Sequence, residues 1–425
     1  MFATILLRRL LDAGADGRVS ESQFGFRPKR GTEDALHCAR RAVDRAWAHK
    51  SGRIHLLALD WKKAFDSINS EGLLLALRRF GLPDHFLKII RAIYTDRNFH
   101  VADSGITSSC REQNAGICQG CPLSPFLFVA VMTIPMADAH ASLGTDASDA
   151  LKAGVLYDLL YADDTLIMGS QAKHVEELAR AVEASGAQYG MTLHWGKTHA
   201  LSVCTDETLR APDFSIIEGE ESIIYLGALI SSDGRADSEI SRRIGLASAE
   251  FKQLKQVWNH ANVPRAKKID IFQAFVISKL AYGLCTLWTV KSQQRRLDGF
   301  YARCLRKIMG IPAAFVSRIS NAKVFTQAGA QPLSLQIERR RCALLGRIGR
   351  SPEGSALRKD TFWRGSAIPT IGLHVRRRGR PRQEWTSQVM SRARSAFASG
   401  PEFEASLLDT SSGSASRWMK RFPKQ

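Results

Sequence analysis

The sequence predicts an α+β fold to about residue 232, followed by an all-helical, strongly basic region. Short apolar runs ending in carboxylates alternate with helically periodic segments as far as Ile230. Long helical periodicity takes over after Ser238. The 425 residues carry 60 Lys and Arg against 41 Asp and Glu, a net charge of +19. With 44% hydrophobic and 24% charged residues the composition is that of a packed globular protein, which excludes wholesale disorder. The length allows two or three domains. The charge imbalance calls for a polyanionic partner, a nucleic acid or an acidic membrane surface.

Taken in order, residues 33–50 read as a helix, with Ala35, Leu36, Ala39, Ala42, Val43 and Ala46 on one face. Arg53–Leu59 is an apolar run too short for a helix and predicts a buried strand. Ser70–Phe80 and Asp84–Tyr94 are amphipathic helices separated by Gly81-Leu82-Pro83. Ser124-Pro125 has the form of a helix cap followed by proline in the first turn, opening an apolar helix toward Ala139. That helix contains Pro135 and reads as too short to span a bilayer, so no membrane is expected. Val155–Tyr161 and Thr165–Met168 are β-type runs joined by Ala162-Asp163-Asp164, the pattern of a hairpin. Ile223–Ile230 predicts a further strand pair.

Three helices follow, through Ile240–Trp258, Pro264–Leu280 and Leu297–Ile308. Their solvent faces would carry Arg242, Arg243, Lys252, Lys255, Lys267, Lys268, Arg303, Arg306 and Lys307. From Leu335 onward 19 basic residues meet 7 acidic ones, so this last fifth supplies +12 of the charge. Gly, Ser and Pro thicken from Ser351, predicting a basic, partly disordered tail. Eight cysteines and no secretory leader predict reduced thiols in an intracellular setting.

Two acidic sites carry the chemistry. Asp60 follows Leu56-Leu57-Ala58-Leu59, and Asp163-Asp164 follow Leu159-Leu160-Tyr161. A carboxylate emerging from a buried strand loses solvation and raises its own pKa unless a cation compensates. Two such sites converging on hard divalent ions suit two-metal phosphoryl transfer. A plain turn is the competing reading of Asp-Asp.

The order of motifs decides between them. Ser22-Gln23-Phe24-Gly25-Phe26-Arg27-Pro28, Leu59-Asp60-Trp61-Lys62-Lys63-Ala64-Phe65-Asp66, Gln119-Gly120-Cys121-Pro122-Leu123-Ser124-Pro125 and Tyr161-Ala162-Asp163-Asp164 follow one another. Gly190-Met191 with Lys197-Thr198, and Tyr225-Leu226-Gly227, come next. Together they resemble the reverse transcriptase of non-LTR (LINE-type) retrotransposons, over roughly residues 1–310.

The resemblance implies a right-hand polymerase: partial fingers at 1–52, palm with the remaining fingers elements at 53–232, helical thumb at 233–312 and a basic C-terminal region at 313–425. It implies an RNA-directed DNA polymerase with two Mg²⁺ ions, Mn²⁺ being able to substitute. Asp60, Asp163 and Asp164 would be the catalytic metal ligands, Asp164 in support. Phe65 would be the steric gate against ribonucleotides, and Asp66 a local capping residue. Gln119 and Gly120 would pass beside the nucleotide, Arg27 would clamp its triphosphate, and Lys197 would lie near the leaving pyrophosphate. Tyr225, Leu226 and Gly227 would form the primer grip. The implied partners are an RNA template, a DNA primer or target and dNTPs, and the implied compartment is the nucleus.

The match starts late in the family's first finger motif, which implies an N-terminal truncation and a poorly buttressed, mobile Arg27. A catalytically dead relic that only binds nucleic acid is the rival reading. Cys118-x-x-Cys121 lacks a second ligand pair, so no zinc site is expected. Arg376-Arg377-Arg378-Gly379-Arg380-Pro381-Arg382 reads as a run with general nucleic-acid affinity.

Overall fold

The computed structural model describes residues 1–423 with the exception of 114, 374, 380 and 381. Two compact units make up the chain. Met1–Ala35 and Gly52–Leu226 form one; Leu36–Ser51 and Gly227–Gln425 form the other. Residues 36–51 therefore belong with the second unit and not with residues 1–35, unlike the expected boundary at 52.

The first unit is built on a four-stranded antiparallel sheet. Its strands are β1 (Ile54–Leu59), β2 (Leu156–Tyr161), β3 (Asp164–Gly169) and β4 (His199–Val203), in the order β2-β3-β1-β4. The period-two alternation of each strand decides what it buries. Leu57 pairs with Ile167 on one side and Ala200 on the other. That face joins Leu59, Leu160 and Ile167 to a core with Phe128, Val131, Leu178 and Val182. The last four come from helices Ser124–Ala141 and Ala172–Ala187.

Ser70–Phe80 and Asp84–Tyr94 form as expected. Asn69 caps the first by accepting from Gly72 N at 2.6 Å, and Gly81 ends it at φ +94°. The apolar helix is longer than the sequence reading allowed. It runs for 18 residues, long and apolar enough to cross a membrane, although 67% of it is buried in protein. Ser124 is not its cap; the cap position is Leu123. The Ser124 hydroxyl instead meets that of Tyr94 at 3.4 Å.

The second unit is helical. Asp237–Gln253, Lys255–Asn259 and Lys291–Met309 pack with a helical run from Arg265 to Ala281 that contains a π-helical stretch at Phe272–Ile277. Phe251 stacks on Trp258 with ring centroids 5.1 Å apart, and Phe272 lies edge-on to Phe251 at 5.8 Å.

The expected basic faces need correction, because three of their nine cations are buried. Arg243 pairs with Glu239 (Nε–Oε1 2.6 Å), Lys268 donates to Trp258 O at 2.9 Å, and Arg306 donates to Ile319 O at 2.6 Å. The tail also departs from expectation. Helices Ala356–Lys359, Trp385–Arg394, Gly400–Leu408 and Ser414–Lys420 lie beyond Ser351. Trp385 and Trp418 are fully buried, their indole N–H groups donating to Cys285 O (2.6 Å) and Cys342 O (2.8 Å). Indoles of that size supply enough apolar area to order a segment that is otherwise rich in Ser, Gly and Arg.

Candidate active site

β2 and β3 are joined by a tight turn in which Ala162 adopts φ +57°, leaving Asp163 in the turn and Asp164 opening β3. Leu59, the last residue of β1, pairs with Thr165. Asp60 and the Asp163-Asp164 pair therefore stand at the same end of adjacent strands. The fold converts two motifs a hundred residues apart into one cluster.

Both sides of that end are anchored. The Trp61 indole donates to Thr165 Oγ1 at 3.1 Å, and that hydroxyl donates to Asp163 O at 3.2 Å. His194 N donates to Asp60 O at 2.8 Å and Lys62 N to Thr192 O at 2.9 Å, which lays the segment carrying Lys197 beside Asp60.

Two residues that were quoted only as part of a motif prove central to the turn. Gln23 is fully buried. Its Oε1 accepts from Ala162 N (2.9 Å) and Gly25 N (2.8 Å), while its Nε2 donates to Ala162 O (3.2 Å). Its segment runs beside β2 through a single parallel bridge, with Leu160 N donating to Ser22 O and Phe24 N to Leu160 O. Gly25 allows this approach, because a Cβ there would collide with Ala162 N and come within 2.9 Å of the Tyr161 carbonyl carbon.

The electrostatics at this end are those of uncompensated negative charge. Burial raises the pKa of Asp163, with Asp60 adding to the shift. Burial likewise raises Asp164 to about 6, with Asp163 and then Asp60 adding to it. Among the described residues no cationic side chain offsets either shift. Hard carboxylate oxygens that lack a protein cation fit divalent Mg²⁺-like ions in donor type and charge. Among the described residues no three such side chains are already gathered into a finished metal cage.

Phe65 sits on a short helix, Ala64–Ser67, that follows Lys63 at φ +48°. Its half-buried ring stacks on Phe128 with centroids 4.0 Å apart and planes 10° from parallel, and it meets Phe26 edge-on at 6.3 Å. Asp66 Oδ1 accepts from Gln119 Nε2 at 3.4 Å, a partner 53 residues away in the sequence and not a local one. Gln119 and Gly120 are exposed, Gly120 at φ +89° with open space where a Cβ would be. Lys197 is exposed in the turn Trp195–Lys197.

Arg27 is buried and tied to its neighbours, not presented outward. It is 9% exposed and its guanidinium donates to Ser20 O (2.9 Å), Asp16 O (3.0 Å) and Asp16 Oδ1 (3.3 Å). Residues 15–20 thus buttress the segment that carries Arg27. Tyr225 is buried at the end of the strand Ser222–Tyr225. Leu226 (φ +47°) and Gly227 (φ +69°) make the turn that follows it.

Residues 2–230 match the family model described as reverse transcriptase (RNA-dependent DNA polymerase). The chain belongs to the reverse transcriptase family. It is similar to the RNA-directed DNA polymerase from mobile element jockey of Drosophila melanogaster, 26% identical over 324 residues, covering 72% of this chain and 34% of that protein. It is also similar to a "Retrovirus-related Pol polyprotein from type-1 retrotransposable element R2" of Popillia japonica, 24% identical, covering 88% of this chain and 61% of that one. The chain thus spans about a third to three-fifths of the length of these relatives. Among solved structures, a telomerase from Candida tropicalis aligns at 11% identity and a TM-score of 0.40, covering 55% of this chain and 44% of that one.

Proposed function

We propose that this chain is the polymerase part of a LINE-type retroelement protein. It extends the 3′-hydroxyl of a DNA primer with deoxynucleotides on an RNA template. The observation that carries the reading is the placement of Asp60, Asp163 and Asp164 at one end of adjacent strands, where Asp163 and Asp164 have raised pKa values and no cation among the described residues offsets them.

Asp60 and Asp163 are the residues that would hold two Mg²⁺ ions, with Asp164 in support and Mn²⁺ able to substitute. When bound, such ions supply Lewis-acid stabilisation of the attacking and leaving oxygens. The protein's own side chains position the rest. Phe65, wedged between Phe128 and Phe26, is a ring held rigidly enough to exclude a 2′-hydroxyl. The free backbone at Gln119-Gly120 lets a nucleotide approach closely, and Lys197 offers a charge to the pyrophosphate. Arg27 supports the site by tying residues 15–20 to the finger segment; a direct clamp on triphosphate would require it to leave Asp16. Tyr225, Leu226 and Gly227 are the primer grip in this reading, and the nucleus is the working compartment because the target is DNA.

Primer extension with the purified chain tests it. An RNA template annealed to a labelled DNA primer, with dNTPs and Mg²⁺, should yield templated products that stop at the template end. No lengthening with either Mg²⁺ or Mn²⁺ would leave the nucleic-acid-binding relic as the function.

A further inference from the structure

The basic run that begins at Arg376 has no task in the polymerase reading, yet it is built into a cavity. Arg380 and Pro381 lie outside the described residues. The others, Arg376, Arg377, Arg378 and Arg382, line a hollow of about 830 Å³ whose walls come wholly from the second unit. Helix Thr32–Ala48 contributes one wall through Arg40, Arg41 and Trp47. Trp288 stands in another.

The run is pinned in place. Lys50 N donates to Val375 O at 2.9 Å, Arg377 Nε to His49 O at 2.9 Å, and Arg382 donates to Asp233 O. Of the three indoles in the lining Trp385 is fully buried, whereas Trp47 and Trp288 are half-buried and fixed by their own N–H groups, Trp47 to Ser232 O at 2.7 Å and Trp288 to Gln383 Oε1 at 3.2 Å. The Arg382 guanidinium lies 3.9 Å from the Trp47 ring centroid, a planar cation on an aromatic ring.

Charge in the hollow is one-sided. Among the described residues seven arginines line it against three carboxylates, and each carboxylate is already committed within the unit. Asp44 pairs with Arg41 at 3.0 Å, Asp237 accepts from Gln293 Nε2 at 2.8 Å, and Glu384 accepts from Thr386 N and Ser387 N. The exposed side chains of Arg376 and Arg378 remain to meet an anion.

We infer that this cavity binds an unpaired polynucleotide strand, with phosphates on the arginines and bases on the indole and guanidinium platforms. Phosphate charge alone would suit a duplex equally well. A duplex, however, spends its base faces on its own stack, whereas an unpaired strand offers them to aromatic rings and arginine planes. The volume lies within the roughly 300–1,000 Å³ of pockets that enclose small ligands, room for a nucleotide or two and not for a double helix.

The test uses the full chain and labelled 12-mers, r(U)12 and d(T)12, with a hairpin template–primer present in saturating amount to occupy the acidic site of the first unit. Both 12-mers, or one of them, should still bind, and a preference identifies the sugar that the site takes. Arg376→Ala/Arg378→Ala changes two exposed residues and should leave the fold intact. It should weaken 12-mer binding several-fold at physiological salt and make the slope of log K against log salt shallower by about 1.4, two phosphate contacts at about 0.7 each. Photo-cross-linking with 4-thiouridine 12-mer should label peptides containing Trp47 or Trp288. Unchanged affinity and slope in the double variant, cross-links confined to the first unit, or equal competition by a blunt 12-bp duplex would each overturn the inference. Because these readouts need no nucleotide incorporation, an inactive polymerase would leave them interpretable.

Discussion

Ionising Asp164 costs the metal-free fold stability. Its folded pKa of about 6 stands above the ordinary carboxylate value of 3.8, because burial and the Asp163 and Asp60 charges oppose the ionised form. The cost is absent below pH 4, grows as pH rises, and is complete above about pH 6. Asp164→Asn should therefore raise the Tm at pH 7 in chelator, and the gain should vanish toward pH 4. The Asp164 side chain is desolvated by its neighbours yet still reaches solvent, and screening there holds the effect to about 1 kcal/mol. Thermal unfolding from pH 4 to 8 checks it, and a lower Tm for the variant at pH 7 would mean that the carboxylate is favourably paired after all.

Phe65→Ala removes a ring stacked on Phe128 and should raise the ribo-to-deoxynucleotide ratio of kcat/KM by at least tenfold. An unchanged ratio would make the ring a packing element only. Two glycines at the same site should behave differently. Gly120→Ala meets open space and bears only the positive-φ penalty, about 1–2 kcal/mol, whereas Gly25→Ala must displace the backbone of the catalytic turn. Gly25→Ala should abolish extension and lower Tm by more than Gly120→Ala; equal Tm losses would contradict the close approach of Gly25 to Ala162.

At the scale of elements, the helices beyond Ser351 are part of the folded second unit. Trp418 is fully buried and the Gly346 backbone lies against its indole, where a Cβ would overlap the ring. Trp418→Ala should cost about 3–5 kcal/mol, read as a drop in denaturation midpoint, and Gly346→Ala should destabilise the same transition. A midpoint unmoved by Trp418→Ala would restore the disordered tail. These helices were hard to read because Ser, Gly and Arg composition mimics disorder; Trp363, Trp385 and Trp418 were the countersignal. The catalytic hairpin was legible because alternation on both sides of Ala162-Asp163-Asp164 is local to one short stretch. Helix Ala172–Ala187 and strand β4 went unread, although both complete the sheet layer under the site. Basic helix faces were overread, since spacing alone does not distinguish Lys252 in solvent from Arg243 on Glu239. The tasks of Gln23 and Gly25 were hidden for a different reason: their partner, Ala162, lies 139 residues from Gln23 and is brought there only by the fold.

Across the whole molecule, the first unit carries the acidic site and the second carries much of the basic surface. Removing one active-site carboxylate should separate chemistry from binding, because metal-assisted transition-state stabilisation depends on the carboxylates while affinity for a polyanion rests on arginine and lysine. The direct measurement is RNA-templated incorporation of a single deoxynucleotide by the wild-type chain, Asp60→Asn and Asp163→Asn, alongside template–primer affinity for each. Loss of one metal-holding carboxylate should remove several kcal/mol of stabilisation and lower the rate by at least a thousandfold, with affinity within about threefold of wild type. Incorporation near the wild-type rate in either variant would contradict the assignment of these carboxylates to the reaction.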